Sequence, residues 1–228
     1  MSISHRHRDP GAGWLRPSVF GMMDGLVSNF ALIAGVSGGH LMSHYVVLTG
    51  TAGLVAGGLS MATGEFISVQ SQNESTLHEI EVERYELEHN AAGELDELTE
   101  VYIDRGVDPD TAALVATQIS ENPDQALLVH SLVELGVNPG ELPSPLVAAG
   151  SSIASFAVGA FLPLIPYIAG VTVLWPSAII AVIALFAAGA IVSRFTSRPW
   201  WYSGLRQLLF GMVSAAAAYG IGEIFHVT

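Results

Sequence analysis

Long apolar segments dominate the pattern of hydrophobic and polar positions along the chain. Residues 25–64 contain no Asp, Glu, Lys or Arg, and the same holds for residues 142–193. Because one membrane crossing takes about 20 residues, each segment is long enough for two spanning helices. A shorter apolar run at residues 203–225 gives a fifth. These runs lack the alternation of barrel strands, so we predict an all-α membrane protein with five transmembrane helices.

Turn-forming residues divide each long segment in two. Gly38, Gly39 and His40 interrupt the first segment, and two prolines and a glycine within residues 163–170 interrupt the second. The second span ends near residue 64. The other predicted spans cover residues 19–39, 146–165, 168–192 and 203–225.

Charge is concentrated between the second and third predicted spans. Only 13% of the 228 residues are charged, and the formal net charge is −13. Seventeen of the twenty-one acidic residues lie in residues 74–141, where Arg84 and Arg105 are the basic residues. We therefore predict a solvated acidic insert between helices two and three, and no nucleic-acid partner. The absence of cysteine excludes thiolate ligands and disulfides.

The domain order follows from this division. We predict an N-terminal tail (residues 1–17), transmembrane helices one and two (18–73), the insert (74–141) and transmembrane helices three to five (142–228). Asp108 and Asn122, each followed by proline, are typical of helix N-termini. The insert is thus predicted to be helical at residues 75–89, 94–105, 110–121 and 123–135, and its first helix continues directly from span two.

Arginine placement predicts the orientation, because short arginine-rich loops stay on the cytoplasmic side. Arg6, Arg8 and Arg16 precede the first span, and three more arginines lie within residues 194–206, between the last two spans and near the start of the fifth. Both groups fall on the same side of a five-span protein, together with the insert. We therefore predict a multi-pass protein with a cytoplasmic N-terminus and a cytoplasmic insert.

Four glutamates of the insert, Glu83, Glu86, Glu94 and Glu97, are spaced three, eight and three residues apart. On one continuous helix they fall within a stripe of about 80°. If the chain turns at residues 90–93, two glutamate pairs face each other across two helices instead. Either arrangement concentrates carboxylates, which repel one another unless a cation or protons intervene. A solvated acidic face would show the same spacing.

Two further residues of the insert, His130 and Glu134, add an imidazole and a carboxylate. They lie four residues apart on the last predicted insert helix. Oxygen ligands with a neighbouring imidazole favour Fe²⁺, Mn²⁺ or Zn²⁺ over Ca²⁺. The insert is therefore a candidate site for a divalent transition metal.

Three side chains within the predicted spans are candidates for a transport path. Asp24 lies in span one, while Met61 and Glu65 share a face of span two. Ionisable residues inside a membrane are costly and usually face a pathway or a partner. The alternatives are that Asp24 caps the helix start and that Glu65 is hydrated near the cytoplasmic end of its span.

Three segments carry a resemblance to a known family: residues 24–30 (DGLVSNF), 58–66 (GLSMATGEF) and 204–209 (GLRQLL). They closely resemble signatures of the vacuolar iron transporter family, and residues 145–163 are also similar. The resemblance implies a dimeric five-helix transporter that moves Fe²⁺, and in some members Mn²⁺, out of the cytoplasm in exchange for protons. The site residues that it implies are Glu83, Glu86, Glu94, Glu97 and Glu134 in the insert, with Asp24 and Met61 on the path.

One position departs from the family pattern. His130 stands where plant members are expected to carry methionine. An imidazole and a thioether prefer different metals, so this position bears on which metal the insert selects.

We therefore expect a transporter rather than an enzyme, with Fe²⁺ as substrate and Mn²⁺ or Zn²⁺ as further possible cargoes. Its expected partners are membrane lipid, a second copy of the chain, divalent metal ions and protons. One alternative is a manganese exporter of the same architecture. Another is a membrane-tethered, ferritin-like protein that senses or stores metal. Such di-iron proteins pair two Glu-x-x-His motifs within one bundle, whereas the insert has that spacing once, at Glu86 and His89.

Overall fold

The computed structural model describes residues 13–195 and 197–225. Residues 1–12, with Arg6 and Arg8 and most of the predicted tail, lie outside the described residues. Every regular element within the described ranges is helical, as the all-α prediction requires. The chain divides into two compact units. One is Ser68–Ser144, and the other combines the residues up to Ile67 with those from Pro145 onward.

Nine helices follow one another in the part of the chain that the structure describes. They are α1 (Leu15–Gly38), α2 (Ser43–His89), α3 (Ala91–Asp104), α4 (Pro109–Ser120), α5 (Pro123–His130), α6 (Pro145–Phe161), α7 (Ile165–Ile168), α8 (Trp175–Val192) and α9 (Trp200–Ile224). A π-helical turn, Ser131–Leu135, follows α5, and a 3-10 turn, Leu162–Leu164, connects α6 to α7. Helix α2 runs without a break from the first unit into the second.

The start of the fourth span differs from the prediction. It was expected at residue 168, but α8 begins at Trp175. Gly170 adopts the left-handed conformation with a φ of 90°, and Pro176 occupies the first turn of α8. The chain therefore turns at Gly170, and the helix starts only where proline is tolerated.

Helix α1 packs against α6, α8 and α9 in the first unit. The contact with α6 is so close that a Cβ atom on Gly25 would meet the backbone carbonyl of Phe156. On the α6 side of the same contact, a Cβ atom on Gly159 would meet the carbonyl of Met22 of α1. Small residues allow this approach in membranes, where helix association depends on van der Waals packing.

Buried polar side chains of the first unit bond to carbonyls at helix irregularities. Ser177 Oγ on α8 donates to the carbonyl of Pro163 at 2.7 Å. Within the 3-10 turn that carbonyl would accept from residue 166, which is a proline without an N–H group. Asn29 Nδ2 on α1 donates to the carbonyl of Ala160 at 2.6 Å. These bonds satisfy backbone groups that hydrocarbon cannot solvate.

Five helical segments are long and apolar enough to cross a membrane. They are Leu15–Gly38, Ser43–His89 through its apolar first part, Pro145–Ile168, Trp175–Val192 and Trp200–Ile224. Large apolar side chains are exposed on these segments, among them Ile183 on α8 and Phe210 on α9. Such surfaces suit contact with lipid, and the chain is an integral membrane protein.

The second unit contains the polar end of α2, helices α3 to α5 and the π-helical turn. Asp108 caps α4 by accepting a hydrogen bond from the N–H of Thr111 at 3.2 Å. Asn122 caps α5 by accepting from the N–H of Asp124 at 3.1 Å. Both helix starts predicted from Asp-Pro and Asn-Pro are thereby confirmed.

Candidate metal centre

Four metal-ligating side chains converge within the second unit. Glu83 comes from α2, Glu94 from the first turn of α3, His130 from the end of α5 and Glu134 from the π-helical turn. One ligand atom of each lies within 4.8 Å of the others. We call this set the insert cluster. No other group of three or more such side chains comes this close within residues 13–195 and 197–225.

A helix break at Asn90 makes this convergence possible. Helix α2 ends at His89 and α3 starts at Ala91, so the glutamate pairs lie on two helices. The backbone of Asn90 leaves the helical region, with φ −132° and ψ 36°. Its carbonyl accepts hydrogen bonds from the N–H groups of Gly93 and Glu94 at 2.8 and 3.1 Å, which starts the next helix. The glutamates therefore do not form one stripe on a continuous helix, and Glu83 of α2 meets Glu94 of α3.

His130 lies at the centre of the insert cluster. Its Nδ1 atom is 2.8 Å from Oε1 of Glu134, 3.1 Å from Oε1 of Glu83 and 3.5 Å from Oε2 of Glu94. The imidazole is completely buried, and its Nε2 atom has no hydrogen-bond partner among the described residues. A single Nδ1 proton serves only one of the three carboxylates well. The cluster therefore holds more buried acceptors than donors.

Burial and mutual repulsion act on two of the glutamates. Burial, followed by the negative charges of Glu134 and Glu94, raises the pKa of Glu83 from 4.5 to about 7. Burial also raises the pKa of Glu94; His130 opposes this rise and Glu97 adds to it. A bound cation would supply the counter-charge that these carboxylates lack.

The spacing of the donor atoms suits a single transition-metal ion. Two ligands bound at about 2.1 Å lie about 3.0 Å apart at a right angle and about 3.4 Å apart at the tetrahedral angle. The distances from His130 Nδ1 to the three carboxylates run from 2.8 to 3.5 Å and so cover this range. Three carboxylates with one imidazole suit Fe²⁺, Mn²⁺ or Zn²⁺.

Two of the predicted insert ligands lie outside this four-residue set. Glu86 is half-buried on α2, and Glu97 is exposed on α3. The charge of Glu97 raises the pKa of both Glu83 and Glu94, and the charge of Glu86 raises that of Glu94. Both glutamates therefore add to the negative potential around the cluster.

The three candidate path residues lie in the first unit. Asp24 lies well inside α1, so it does not cap the helix start, and it is exposed. Met61 and Glu65 are half-buried and lie one turn apart on α2. A carboxyl group on the outer face of an apolar helix needs water or a partner, because lipid solvates it poorly.

Ser131 is a residue that the sequence reasoning missed. It follows His130 directly and is fully buried, and its Oγ atom has no hydrogen-bond partner within the described ranges. A buried hydroxyl without a partner is costly, which marks this position as part of the polar centre. Its place next to His130 was visible in the sequence, but the π-helical turn that begins at Ser131 was not.

Comparison with known proteins covers nearly all of the helices described above. The model of the VIT family matches residues 15–223. This chain belongs to the VIT family. Within it, the chain is similar to "Vacuolar iron transporter" of Acanthamoeba castellanii, with 36% identity over 92% of this chain and 78% of the relative. "Vacuolar iron transporter" of Centaurea cyanus is 31% identical over 92% and 86%. "Vacuolar iron transporter 1" of Arabidopsis thaliana is 27% identical over 92% and 85%.

Membership of the VIT family confirms the resemblance that three short segments indicated. The relatives are named as transporters, so the VIT family chain is a transporter and not an enzyme. The match includes the acidic second unit as well as the apolar helices. The insert cluster therefore belongs to the part of the chain that the family shares.

Proposed function

We propose that this chain exports ferrous iron from the cytoplasm in exchange for protons, as a homodimer with five membrane spans in each copy. The insert cluster carries the proposal, because a buried imidazole with three carboxylates is suited to a divalent transition metal. The names of the relatives support iron as the cargo. The same ligands accommodate Mn²⁺ and Zn²⁺, so transport measurements decide among the three metals.

The proposed orientation rests on arginine placement. Arg16 lies in the first turn of α1, Arg194 follows α8, and Arg198 precedes α9. With five spans these three positions fall on one side of the membrane, which the positive-inside rule makes cytoplasmic. The insert then lies on the cytoplasmic side and meets cytoplasmic metal ions before the membrane helices do.

Capture by the insert is the first step that we propose. Glu83, Glu94, His130 and Glu134 bind the ion directly, while Glu86 and Glu97 attract it by charge. The cluster holds more buried hydrogen-bond acceptors than donors, which supports direct binding of a cation by its four residues. Metal binding supplies positive charge and so offsets the repulsion among the carboxylates, which protons otherwise reduce.

Asp24, Met61 and Glu65 are the proposed path residues. A cation that crosses a membrane needs replacements for its hydration shell. Carboxylates on α1 and α2, together with a thioether on α2, offer weak and exchangeable partners. The placement of Met61 and Glu65 on one face of α2 supports such a sequence of contacts.

The exposed face of α2 supports the proposed homodimer. Ala52, Ala56, Ser60 and Gly64 are all exposed and follow one another at four-residue spacing. Small residues at this spacing allow two membrane helices to approach closely. A second copy packed along this face would also shield Asp24 from lipid if α1 takes part in the same contact.

Proton exchange is supported by the chemistry of the carboxylates, which bind either a proton or a metal ion. With its pKa near 7, Glu83 is partly protonated at neutral pH in the metal-free protein. Metal binding would displace that proton. The same competition at the path carboxylates would couple metal movement to a proton gradient.

Transport into proteoliposomes tests the proposal. Vesicles with an acidic interior receive Fe²⁺, Mn²⁺ or Zn²⁺ outside, while internal metal and internal pH are recorded together. We expect Fe²⁺ uptake with a matching rise in internal pH, and neither change in protein-free vesicles. Uptake without a pH change would remove proton exchange, faster Mn²⁺ uptake would make manganese the cargo, and no uptake of any metal would reject transport.

A further inference from the structure

A histidine and a glutamate meet at the end of the first unit opposite the arginines. His40 follows α1, and Glu223 lies in the last turn of α9. Nε2 of His40 is 3.4 Å from Oε1 of Glu223. We call the first unit the membrane domain. In the proposed orientation, this end of it faces away from the cytoplasm. The two residues are far apart in the sequence, so periodicity could not associate them.

Close packing of two helices brings this pair together. A Cβ atom on Gly222 would meet the carbonyl of Gly35, and one on Gly38 would meet the carbonyl of Tyr219. The backbones of α1 and α9 are therefore in direct contact just before His40 and Glu223. This contact fixes the backbone positions from which the side chains of His40 and Glu223 extend.

The backbone of His40 is left-handed. His40 is the only non-glycine residue with a positive φ, 54°, in the part of the chain that the structure describes. Left-handed backbone is costly for a residue with a Cβ atom and recurs at functional sites. A structural turn here would be built more cheaply with glycine, which occupies the two preceding positions.

The separation of the two side chains is that of an ion pair, and it also suits shared ligation of one ion. N–H···O hydrogen bonds in proteins run to about 3.2 Å. Two ligands held at about 2.1 Å from one ion at the tetrahedral angle lie about 3.4 Å apart.

We infer that His40 and Glu223 form a second site for a divalent transition metal, at the non-cytoplasmic end of the membrane domain. The inference rests on the proposed function, to which it adds the point of release. Both side chains are about half exposed, at 56% and 45%, so water can complete the coordination. Two protein ligands bind more weakly than the four of the insert cluster, and a weak exposed site suits release.

A groove between α1 and α9 ends beside this pair, at the glycines that precede His40 and Glu223. The groove has a volume of about 520 Å³ between α1 and α9, and its lining includes Ser28 at one end and Gly39 and Gly222 at the other. Ser28 lies one turn beyond Asp24 and donates a hydrogen bond to its carbonyl at 2.6 Å. The groove walls between these ends are apolar, so they offer no intermediate ligand and the release site is separate from Asp24.

Cobalt binding to the full-length protein in detergent tests the site. The parent is a variant in which Glu83, Glu94 and Glu134 are all glutamine, so that the insert cluster no longer binds metal. Co²⁺ is titrated while its visible absorption and the bound amount at dialysis equilibrium are recorded. His40→Asn is the first test variant, because asparagine tolerates the left-handed backbone. Glu223→Gln is the second, and His44→Asn in the first turn of α2 is the control.

We expect both test variants to lose at least about tenfold in Co²⁺ affinity, because loss of an outer-shell partner alone already costs about 10–100-fold. The control should bind as the parent does. Unchanged binding in both test variants, or equal loss in the control, would overturn the site. A lowered melting temperature with unchanged binding would make the pair a structural contact only. Because binding in detergent needs no flux, failure of transport would reject the proposed function without deciding this site.

Discussion

The residues of the insert cluster combine a large negative charge with little to neutralise it. Three carboxylates surround one imidazole, and neither arginine of the insert belongs to the cluster. Arg84 pairs with Glu81 instead, at 3.7 Å. When metal is absent, protons are the remaining counter-charge. Metal binding and protonation therefore compete at the same atoms.

Glu83→Gln tests this competition in the metal-free protein. A carboxyl group whose pKa is higher in the folded state stabilises the fold below its unfolded pKa, and that stability is lost as pH rises through the folded value. For Glu83 the loss falls between pH 4.5 and about 7. Glutamine should therefore raise the melting temperature of the second unit at pH 8 by a few degrees, since about 1 kcal/mol moves a domain of this size by roughly 4–8 °C.

The same variant should lose most of the stabilisation that added metal gives the wild type, as thermal unfolding with and without Mn²⁺ would show. Glu79→Gln, at an exposed glutamate one turn before Glu83 on the same helix, is the matched control and should change neither quantity. A wild-type melting temperature that stays constant from pH 5 to 8 without metal would contradict the role assigned to burial.

Metal binding by the wild type should weaken as pH falls below about 7. Ordinary glutamates would predict weakening below about pH 5. The raised pKa of Glu83 moves the onset upward, because its proton must leave before the ion binds. Calorimetric titration with Mn²⁺ at pH 8, 7, 6 and 5 measures the onset, and an affinity that stays constant down to pH 5 would contradict it.

His130→Met should change metal preference more than metal binding as such. A neutral imidazole binds Zn²⁺ far better than a thioether does, whereas Mn²⁺ relies mainly on carboxylates. We expect a loss of about tenfold or more for Zn²⁺ and only a few-fold for Mn²⁺. His89→Met is the control, because His89 is exposed, stacks on Tyr85 and lies outside the insert cluster. Equal losses for both metals would mean that the imidazole does not contact the ion.

At the scale of elements, helix contacts in the first unit depend on glycine. Gly→Ala in an exposed helix usually stabilises slightly, because alanine is the better helix former. At Gly25 the added methyl group would instead meet the backbone of Phe156 and Ala160, which cannot move as a flexible side chain would. The helices must then separate.

Gly25→Ala should therefore lower the stability of the membrane domain by about 1–3 kcal/mol, the usual cost of overpacking. Unfolding of the purified protein by denaturing detergent measures the loss. Gly150→Ala on α6 is the control, because a Cβ atom at Gly150 meets nothing within 4 Å. Equal stability of the two variants would show that α1 and α6 do not pack at Gly25.

At the scale of the whole molecule, the apolar helices were predictable and the metal centre was only partly so. Uncharged runs and proline or glycine breaks indicate helices directly, whereas the late start of α8 depends on the left-handed conformation of Gly170. The spacing of Glu83 and Glu94 was visible, but their approach to His130 depends on the one-residue break at Asn90 and on a π-helical turn. Neither feature produces a periodic pattern of residues from which it could be predicted.

A single substitution tests the proposed path through the membrane. Asp24→Asn keeps the size of the side chain and its capacity for hydrogen bonds but removes the charge that would attract a cation. Asp24 is exposed on α1 and is not among the buried residues of that helix, so the variant should insert as the wild type does. Met61→Leu keeps an apolar side chain of similar volume and removes the thioether ligand.

In proteoliposomes we expect Asp24→Asn to lose at least about tenfold in Fe²⁺ flux, the cost of about 1.4 kcal/mol in the interactions that carry the ion. Met61→Leu should lose a smaller part, because water can replace a weak thioether ligand. Metal binding by the insert cluster should be unchanged in both variants, which separates failure of capture from failure of passage. If Asp24→Asn transports Fe²⁺ at the wild-type rate, the path does not use α1, and the exposed carboxylate serves another contact of the membrane domain.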